Sequence, residues 1–230
     1  MSASTQGAPH DARFPNETPD YRAARDHLLA AEVALRRQTE AVAAQRRALP
    51  LGGPPPEDYV FHEGEDARPV RLSELFGDQR TLVLYSYMYG PEMERPCPSC
   101  TSMLDSLERA ARHIGRRVSL AVVAKSPIQR LLALGRERGW THLRLLSSAG
   151  TRYNADYHGE TDTGAQTPML NVFVRDDAGH VRHAYATELM FGPREPGQDP
   201  RHVDAIWPLW AALDLTPEGR GDFYPRLTYD

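Results

Sequence analysis

The sequence is poor in several things at once, and each scarcity narrows what the protein can be. Cysteine occurs only as Cys97 and Cys100 in 230 residues, too few and too close together to staple a secreted scaffold across long loops. The same count excludes a four-thiolate zinc site, because there is no second pair to complete it. No apolar stretch approaches the roughly 20 residues that span a bilayer. Residues 1–20 carry no apolar run behind their charges, so a secretory leader is not expected. Charge of a single sign is also lacking. Lys and Arg total 27 against 31 Asp and Glu, a formal net charge of -4, which offers no general attraction to nucleic acid or acidic lipid. Lysine itself is nearly missing, with Lys125 alone among arginines, a bias without functional meaning. The expectation is a cytoplasmic chain with neither a membrane nor a nucleic acid as partner.

What is present suits a globular protein. Hydrophobic residues make up 40% and charged residues 25%, close to ordinary soluble usage. Residues 1–18 mix Pro, Ser, Asp and Asn with few large apolar groups and read as a disordered tail. Residues 19–56 form an N-terminal helical arm and linker. Over 21–49 good helix formers dominate, and Leu28, Leu35, Val42 and Leu49 recur at seven-residue intervals. That narrow apolar stripe suits either packing across the arm's own domain or a homodimer. Pro50, Gly52, Gly53 and Pro54 then stop the helix.

Beyond the linker, helices and strands alternate. Residues 70–76 read as a short strand and turn, and TLVLYSYM (81–88) as a buried strand. CPSC follows and opens a helix over 101–113, with Met103, Leu104, Leu107, Ala110 and Ala111 on one face. VSLAVVA (118–124) is a second buried strand, 127–138 a helix with Pro at its start and Gly139 at its end, and 143–146 a third strand. Residues 169–175 and 181–187 form a hairpin across Asp176–His180. A last helix spans 201–213, with Trp207 and Trp210 on its core face and Pro208 as a kink or interruption. This order predicts an α/β fold, a central mixed sheet flanked by helices, the hairpin adding antiparallel strands. The main domain is expected over 57–190, with 191–230 a C-terminal helix and tail packed on it.

The chemistry concentrates at Cys97-Pro98-Ser99-Cys100. A Cys-x-x-Cys after a buried strand and at the start of a helix has a definite physical meaning. Unpaired N–H groups at the helix N-terminus stabilise a thiolate, so Cys97 is expected to be acidic and nucleophilic. Pro98 fits the first helical position, where no N–H is needed. Cys100, one turn on, is placed to attack a mixed disulfide formed at Cys97. Thr167-Pro168, just before the hairpin, suggests a cis bond that would bring the Thr167 backbone against the pair to hydrogen-bond an extended thiol substrate.

At these residues the sequence resembles the thioredoxin fold, over about residues 70–187. The resemblance implies a dithiol–disulfide active site at Cys97 and Cys100, with Thr167 and Pro168 as its substrate-binding cis-proline loop. More closely, the chain resembles a bacterial family of unknown function (domain of unknown function eight-nine-nine) whose members carry the label of predicted dithiol–disulfide oxidoreductase. LVLYSYMYGP, CPSCTSMLD, VVAKSPIQRL, ERGWTHLRLLSS, YNADYHGE and DPRHVDAIWPLW carry that resemblance. It implies an enzyme acting without a cofactor on a disulfide, peroxide or other oxidised sulfur substrate, small molecule or protein, and re-reduced by a cellular thiol system. The chain departs from plain thioredoxin in Arg95-Pro96 before Cys97, a polar insertion at 90–96, and the loop 147–166 with Tyr153, Asp156, Tyr157, His158 and Glu160. His158 carries an alternative. Two thiolates and an imidazole form a copper ligand set, and copper-delivering thioredoxin-fold proteins resemble this arrangement, so copper held by Cys97, Cys100 and His158 is the second expectation.

Overall fold

The computed structural model describes residues 10–193, 196–199 and 201–229. The chain divides after Leu49 into two compact units. Half of the tail expected over 1–18, residues 1–9, lies outside the described residues, and 10–18 contains a turn in which the Glu17 amide donates to the Phe14 carbonyl. The first unit is otherwise one helix, α1 (Pro19–Ala48). It begins where the sequence supplies both start signals, a Thr18 hydroxyl accepting from the Tyr21 amide at 3.2 Å and a proline in the first turn.

The second unit is a mixed seven-stranded sheet with helices. Its strands are β1 (Val60–Glu63), β2 (Arg68–Arg71), β3 (Thr81–Ser86), β4 (Ser119–Ala124), β5 (Arg144–Ser147), β6 (Met169–Arg175) and β7 (Val181–Ala186). They lie in the order β2-β1-β5-β4-β3-β6-β7. β3, β4 and β5 are parallel, and β6 and β7 run antiparallel on one side. β1 and β2 form an antiparallel hairpin on the other. The parallel strands are joined by α2 (Pro98–Ile114) and α3 (Ile128–Arg138), as crossovers between parallel strands require.

Period-two alternation in the central strands feeds two cores. Leu82 and Leu84 of β3, with Ala121 and Val123 of β4, pack with Phe61, Phe76 and Phe173 on one face. Tyr85 and Val122 face the other core, with Met103 and Leu107 of α2 and Leu131 of α3. Trp207 and Trp210 join this second core at 4% exposure each, the core role their helical spacing predicts. α3 ends at Gly139, whose φ of 71° is the left-handed conformation that favours glycine.

The short strand and turn read over 70–76 are the end of β2 and a 3-10 turn at Leu72–Glu74. One expected element differs. The helix read over 201–213 is a 3-10 turn at Asp204–Ile206 and then α5 (Pro208–Leu213). Pro208 has no N–H for an earlier carbonyl, so it begins a helix rather than continuing one. The sequence reading also misses β1 and the short α4 (Tyr153–Asp156). β1 is four residues long and hides a carboxylate, Glu63, which the Arg144 guanidinium neutralises with contacts of 2.7 and 3.0 Å.

Candidate functional site

The site forms where β3 ends. After Ser86 the chain leaves the sheet, and the insertion at 90–96 is held by Arg130 and by the Ser126 hydroxyl, which donates to the Gly90 carbonyl at 3.2 Å. The Arg130 guanidinium donates to the carbonyls of Gly90, Pro91, Met93 and Glu94 and lies 4.3 Å from the Tyr89 ring centroid. The Cys97 amide then donates to the Met88 carbonyl at 3.1 Å, and α2 begins.

Cys97 is the residue that caps α2, with Pro98 in its first turn. Its sulfur accepts the Cys100 amide at 3.5 Å. The Thr101 hydroxyl closes on the Cys97 carbonyl at 2.8 Å and pairs with the Tyr87 hydroxyl at 2.6 Å, which fixes the turn from both sides. Both cysteines are free thiols, Cys97 half-buried and Cys100 4% exposed. Their acidities diverge. The Cys100 thiol donates to the Cys97 sulfur, and with the amides of Cys100 and Ser99 it outweighs burial and pulls Cys97 down to about 6. Cys100 moves well up, first because its proton is held by Cys97 and then because it is buried. The Tyr85 hydroxyl hydrogen-bonds the Cys100 sulfur and acts in the opposite sense, favouring its thiolate. Burial keeps Tyr85 itself a neutral phenol, hence a donor.

A cavity of about 350 Å³ opens over the pair. Tyr85, Cys97 and Cys100 line one part of it and Thr167 and Pro168 another. The C-terminal segment closes it with Arg201, His202, Trp207 and Trp210. The predicted residues Cys97, Cys100, Thr167 and Pro168 therefore share one site. The expected cis bond does not: among the described residues no peptide bond is cis. Even the tertiary amide before proline favours trans by about 0.5–1 kcal/mol, and other contacts place this loop. The Thr167 amide donates to the Gly159 carbonyl at 3.0 Å and its hydroxyl to the His158 carbonyl at 2.7 Å. Gly159 lets this turn approach β3, since a Cβ there would meet Ser86 and Asn154 atoms at 3.0–3.1 Å. The Thr167 N–H is thus spent inside the protein, not left for an extended substrate.

His158 is not brought to the pair. It adopts a φ of 55°, and its ring packs edge-on against Phe191 at 5.6 Å. It lines a second cavity of about 290 Å³ with Asp156, Tyr157, Asn171, His183 and Glu188. Among the described residues no group of three or more His, Cys, Asp and Glu side chains could hold a metal ion. The histidine that does line the cysteine cavity is His202, which sequence reasoning left without a role. It is 8% exposed, stacks with Tyr85 (centroids 6.5 Å apart, planes at 18°), and pairs through Nδ1 with the Thr187 hydroxyl at 2.6 Å. Burial without a compensating charge pushes it down to about 4, so it is neutral at pH 7. Tyr85 was equally illegible, being one tyrosine among several in a strand that reads as core.

Among the described residues no helix is long and apolar enough to cross a membrane. No curated protein matches the chain. Among solved structures it is similar to a peroxiredoxin-like protein from Aquifex aeolicus, with 14% identity over 60% of this chain and 75% of that one at a TM-score of 0.42. It is also similar to the peroxidoxin BcpB from Mycobacterium tuberculosis, with 20% identity, 57% and 81% coverage, and a TM-score of 0.42. A third similar structure is a thiol:disulfide interchange protein of the thioredoxin family from Chlorobium tepidum TLS, with 17% identity, 70% and 98% coverage, and a TM-score of 0.39. In sequence, residues 12–228 match the family described as bacterial protein of unknown function (DUF899), a span that takes in α1, the sheet, the cysteine pair and the closing C-terminal segment. The chain is therefore a member of the DUF899 family, with a mixed α/β fold and a paired-cysteine cavity beyond the end of β3.

Proposed function

We propose that the protein is a thiol–disulfide oxidoreductase in which Cys97 attacks and Cys100 resolves. The observation that carries the reading is the placement of the two sulfurs. Half-buried Cys97 caps α2 and accepts the Cys100 amide at 3.5 Å, while Cys100 lies one turn inside at 4% exposure. This arrangement lowers the pKa of Cys97 to about 6 and raises that of Cys100. The thiolate is the attacking species in exchange, so at pH 7 the half-buried sulfur is armed and the buried one is held in reserve.

The cycle balances as follows. The Cys97 thiolate attacks one sulfur of an oxidised substrate R–S–S–R, forming a mixed disulfide and releasing RS⁻, which takes a proton from solvent. Cys97 then no longer holds the Cys100 proton in its own hydrogen bond. Cys100 loses that proton, its thiolate steadied by the Tyr85 hydroxyl, and attacks the Cys97 sulfur. This closes the Cys97–Cys100 disulfide and expels the second RS⁻, protonated in turn. A cellular dithiol returns two electrons and two protons to restore the reduced pair.

The test is a trapping experiment with an aromatic disulfide reagent such as 5,5′-dithiobis(2-nitrobenzoate). Wild-type protein should release both aryl thiolates and end with an internal disulfide, whereas Cys100→Ser should stop at a stable adduct on Cys97. An adduct that accumulates on Cys100 in wild-type protein would reverse the roles, and no faster reaction than a denatured control would end the proposal.

A further inference from the structure

Both loops that frame the cysteine cavity are tied to one short segment, residues 125 and 126, where the chain leaves β4. Ser126 holds the loop that leads to Cys97. Its amide donates to the Tyr89 carbonyl at 3.0 Å and its hydroxyl to the Gly90 carbonyl at 3.2 Å. The segment is itself pinned to β5, since the Ser147 hydroxyl donates to the Ser126 carbonyl at 2.7 Å. Lys125, the only lysine in the chain, holds the other loop. Its ammonium pairs with the Glu160 carboxylate. Glu160 stands at the base of a small hairpin, bridged to Gln166, in which the Thr161 amide donates to the Ala165 carbonyl at 2.8 Å. The Gln166 side-chain amide donates to the same Glu160 oxygen at 3.4 Å. Thr167 and Pro168, which line the cavity, follow directly. The two loops also meet, for a Cβ at Gly90 would lie 2.8 Å from Cγ of Gln166.

The Lys125–Glu160 pair is unlike the ion pairs that stand in solvent, such as Arg80–Asp177 and Arg136–Glu65. Its side chains are 28% and 10% exposed. Exposed pairs contribute little, but removing one partner of a largely buried pair leaves the other charge uncompensated. Without Lys125, the Glu160 carboxylate would be drawn toward water and would take the base of the hairpin with it. The acidity of Cys97 has a separate origin. It is set by the Cys100 thiol and the amides of Ser99 and Cys100, all within three residues of it.

Resting on the dithiol reading, we propose that Lys125 is a positioning residue for exchange at Cys97. Through Glu160 and Gln166 it holds the Thr167–Pro168 wall at the distance from the Cys97 loop that aligns a bound disulfide with the attacking sulfur. The entering sulfur must stand in line with the S–S bond that breaks, and a misplacement of about 1 Å can cost roughly a hundredfold in rate. A small alkylating reagent finds its own alignment and does not need the wall. Bonds, electrons and protons follow the cycle already given, and Lys125 exchanges none of them.

The experiment compares two reactions of the reduced full-length protein. One is exchange with 4,4′-dithiodipyridine, a neutral disulfide whose approach does not depend on local charge, and the other is alkylation by iodoacetamide. Lys125→Met keeps most of the stem and removes the ammonium. It should slow the exchange about tenfold, while the iodoacetamide rate and its pH midpoint stay as in wild type. Lys125→Arg, which keeps the positive charge, should recover most of the loss. Glu160→Gln should give the same selective loss and supplies the reading should Lys125→Met fail to fold. The double variant should be no slower than either single one, as for residues that act through one contact. Exchange at the wild-type rate in Lys125→Met overturns the inference. So does an equal loss in both reactions, the mark of a merely structural role, and losses that add in the double variant overturn the route through Glu160. Wild-type protein that reacts with the disulfide no faster than its denatured form would instead sink the dithiol reading beneath it.

Discussion

Two cavities of comparable size in the second unit are each lined by a histidine, half-buried His183 in one and buried His202 in the other, and the cysteine pair lies on the second. In the cavity at the far side of the Thr167 loop, His183 bonds Asn171 through Nε2 at 3.1 Å and packs against Tyr157 and Phe173 at 5.4 and 5.3 Å. Its ring is satisfied and wedged, and burial lowers its basicity. In the cysteine cavity, His202 is lowered further by the same cause, yet one of its nitrogens has no partner. The difference teaches that residue type does not separate the two histidines. What separates them is how far each is buried and whether the surroundings complete the hydrogen-bond count of its buried nitrogens, since a buried polar atom without a partner costs stability. The sulfurs repeat the lesson at closer range. Cys97 collects donors and becomes acidic, while Cys100 gives its proton away and becomes inert until its neighbour has reacted.

The contrast can be broken most severely at Cys97. Cys97→Ser should abolish exchange with a disulfide reagent, and thiol titration of the variant should find only the slow, buried Cys100. The next largest effect is on pH. Cys97 ionises at about 6 in the fold, so its alkylation rate should fall about fiftyfold between pH 6 and pH 4 as the thiolate fraction drops, while an ordinary cysteine is already slow at pH 6. The sign for stability follows. A folded value below the ordinary thiol range means that ionised Cys97 stabilises the reduced fold at high pH. That contribution is complete above the ordinary thiol value of about 8.5 and is lost progressively as pH falls from there through about 6. Thermal melts of wild type and Cys97→Ala from about pH 9 to pH 5 would reveal it.

A smaller effect is expected at Tyr85. Removing the phenol's hydrogen bond in Tyr85→Phe costs about 1 to 1.5 kcal/mol, roughly a tenfold slowing of the resolving step. The first attack by Cys97 should be unaffected, so rapid-mixing traces should show a mixed disulfide that persists longer. The smallest effect belongs to the other cavity. His158→Ala should change exchange rates less than about twofold, as expected of a substitution outside the reacting groups. It should also leave any copper(I) taken up by the pair unaltered when measured by elemental analysis. A large loss in either would restore His158 to the site.

Much of this arrangement was legible before any coordinates. A buried strand, CPSC and a helix with proline in its first turn sufficed to put Cys97 at the cap and Cys100 one turn inside, because those are local rules of helix initiation. The apposition of Thr167 and Pro168 to the pair was also anticipated, although the loop reaches the cavity with a trans bond and with its amide already used. The spacing of Trp207 and Trp210 announced a core face, and Pro208 a break. His158 was drawn toward the cysteines by its place in the chain. A left-handed residue and the hydrogen bonds from Thr167 put it elsewhere. His202 and Tyr85 carry no sequence signal, because each looks like an ordinary core residue until its neighbours are known.

Sequence alone therefore determined the alternation of strand and helix and the placement of Cys97 at the cap of α2. Both depend on groups within a few residues of one another, where chain geometry leaves little choice. Only the tertiary structure decided which histidine lines the cavity of the two sulfurs and which side chains make its walls. Those depend on side chains from β3, α2, the Thr167 loop and the C-terminal segment, more than a hundred residues apart. Whether a buried donor is satisfied is a property of everything that surrounds it.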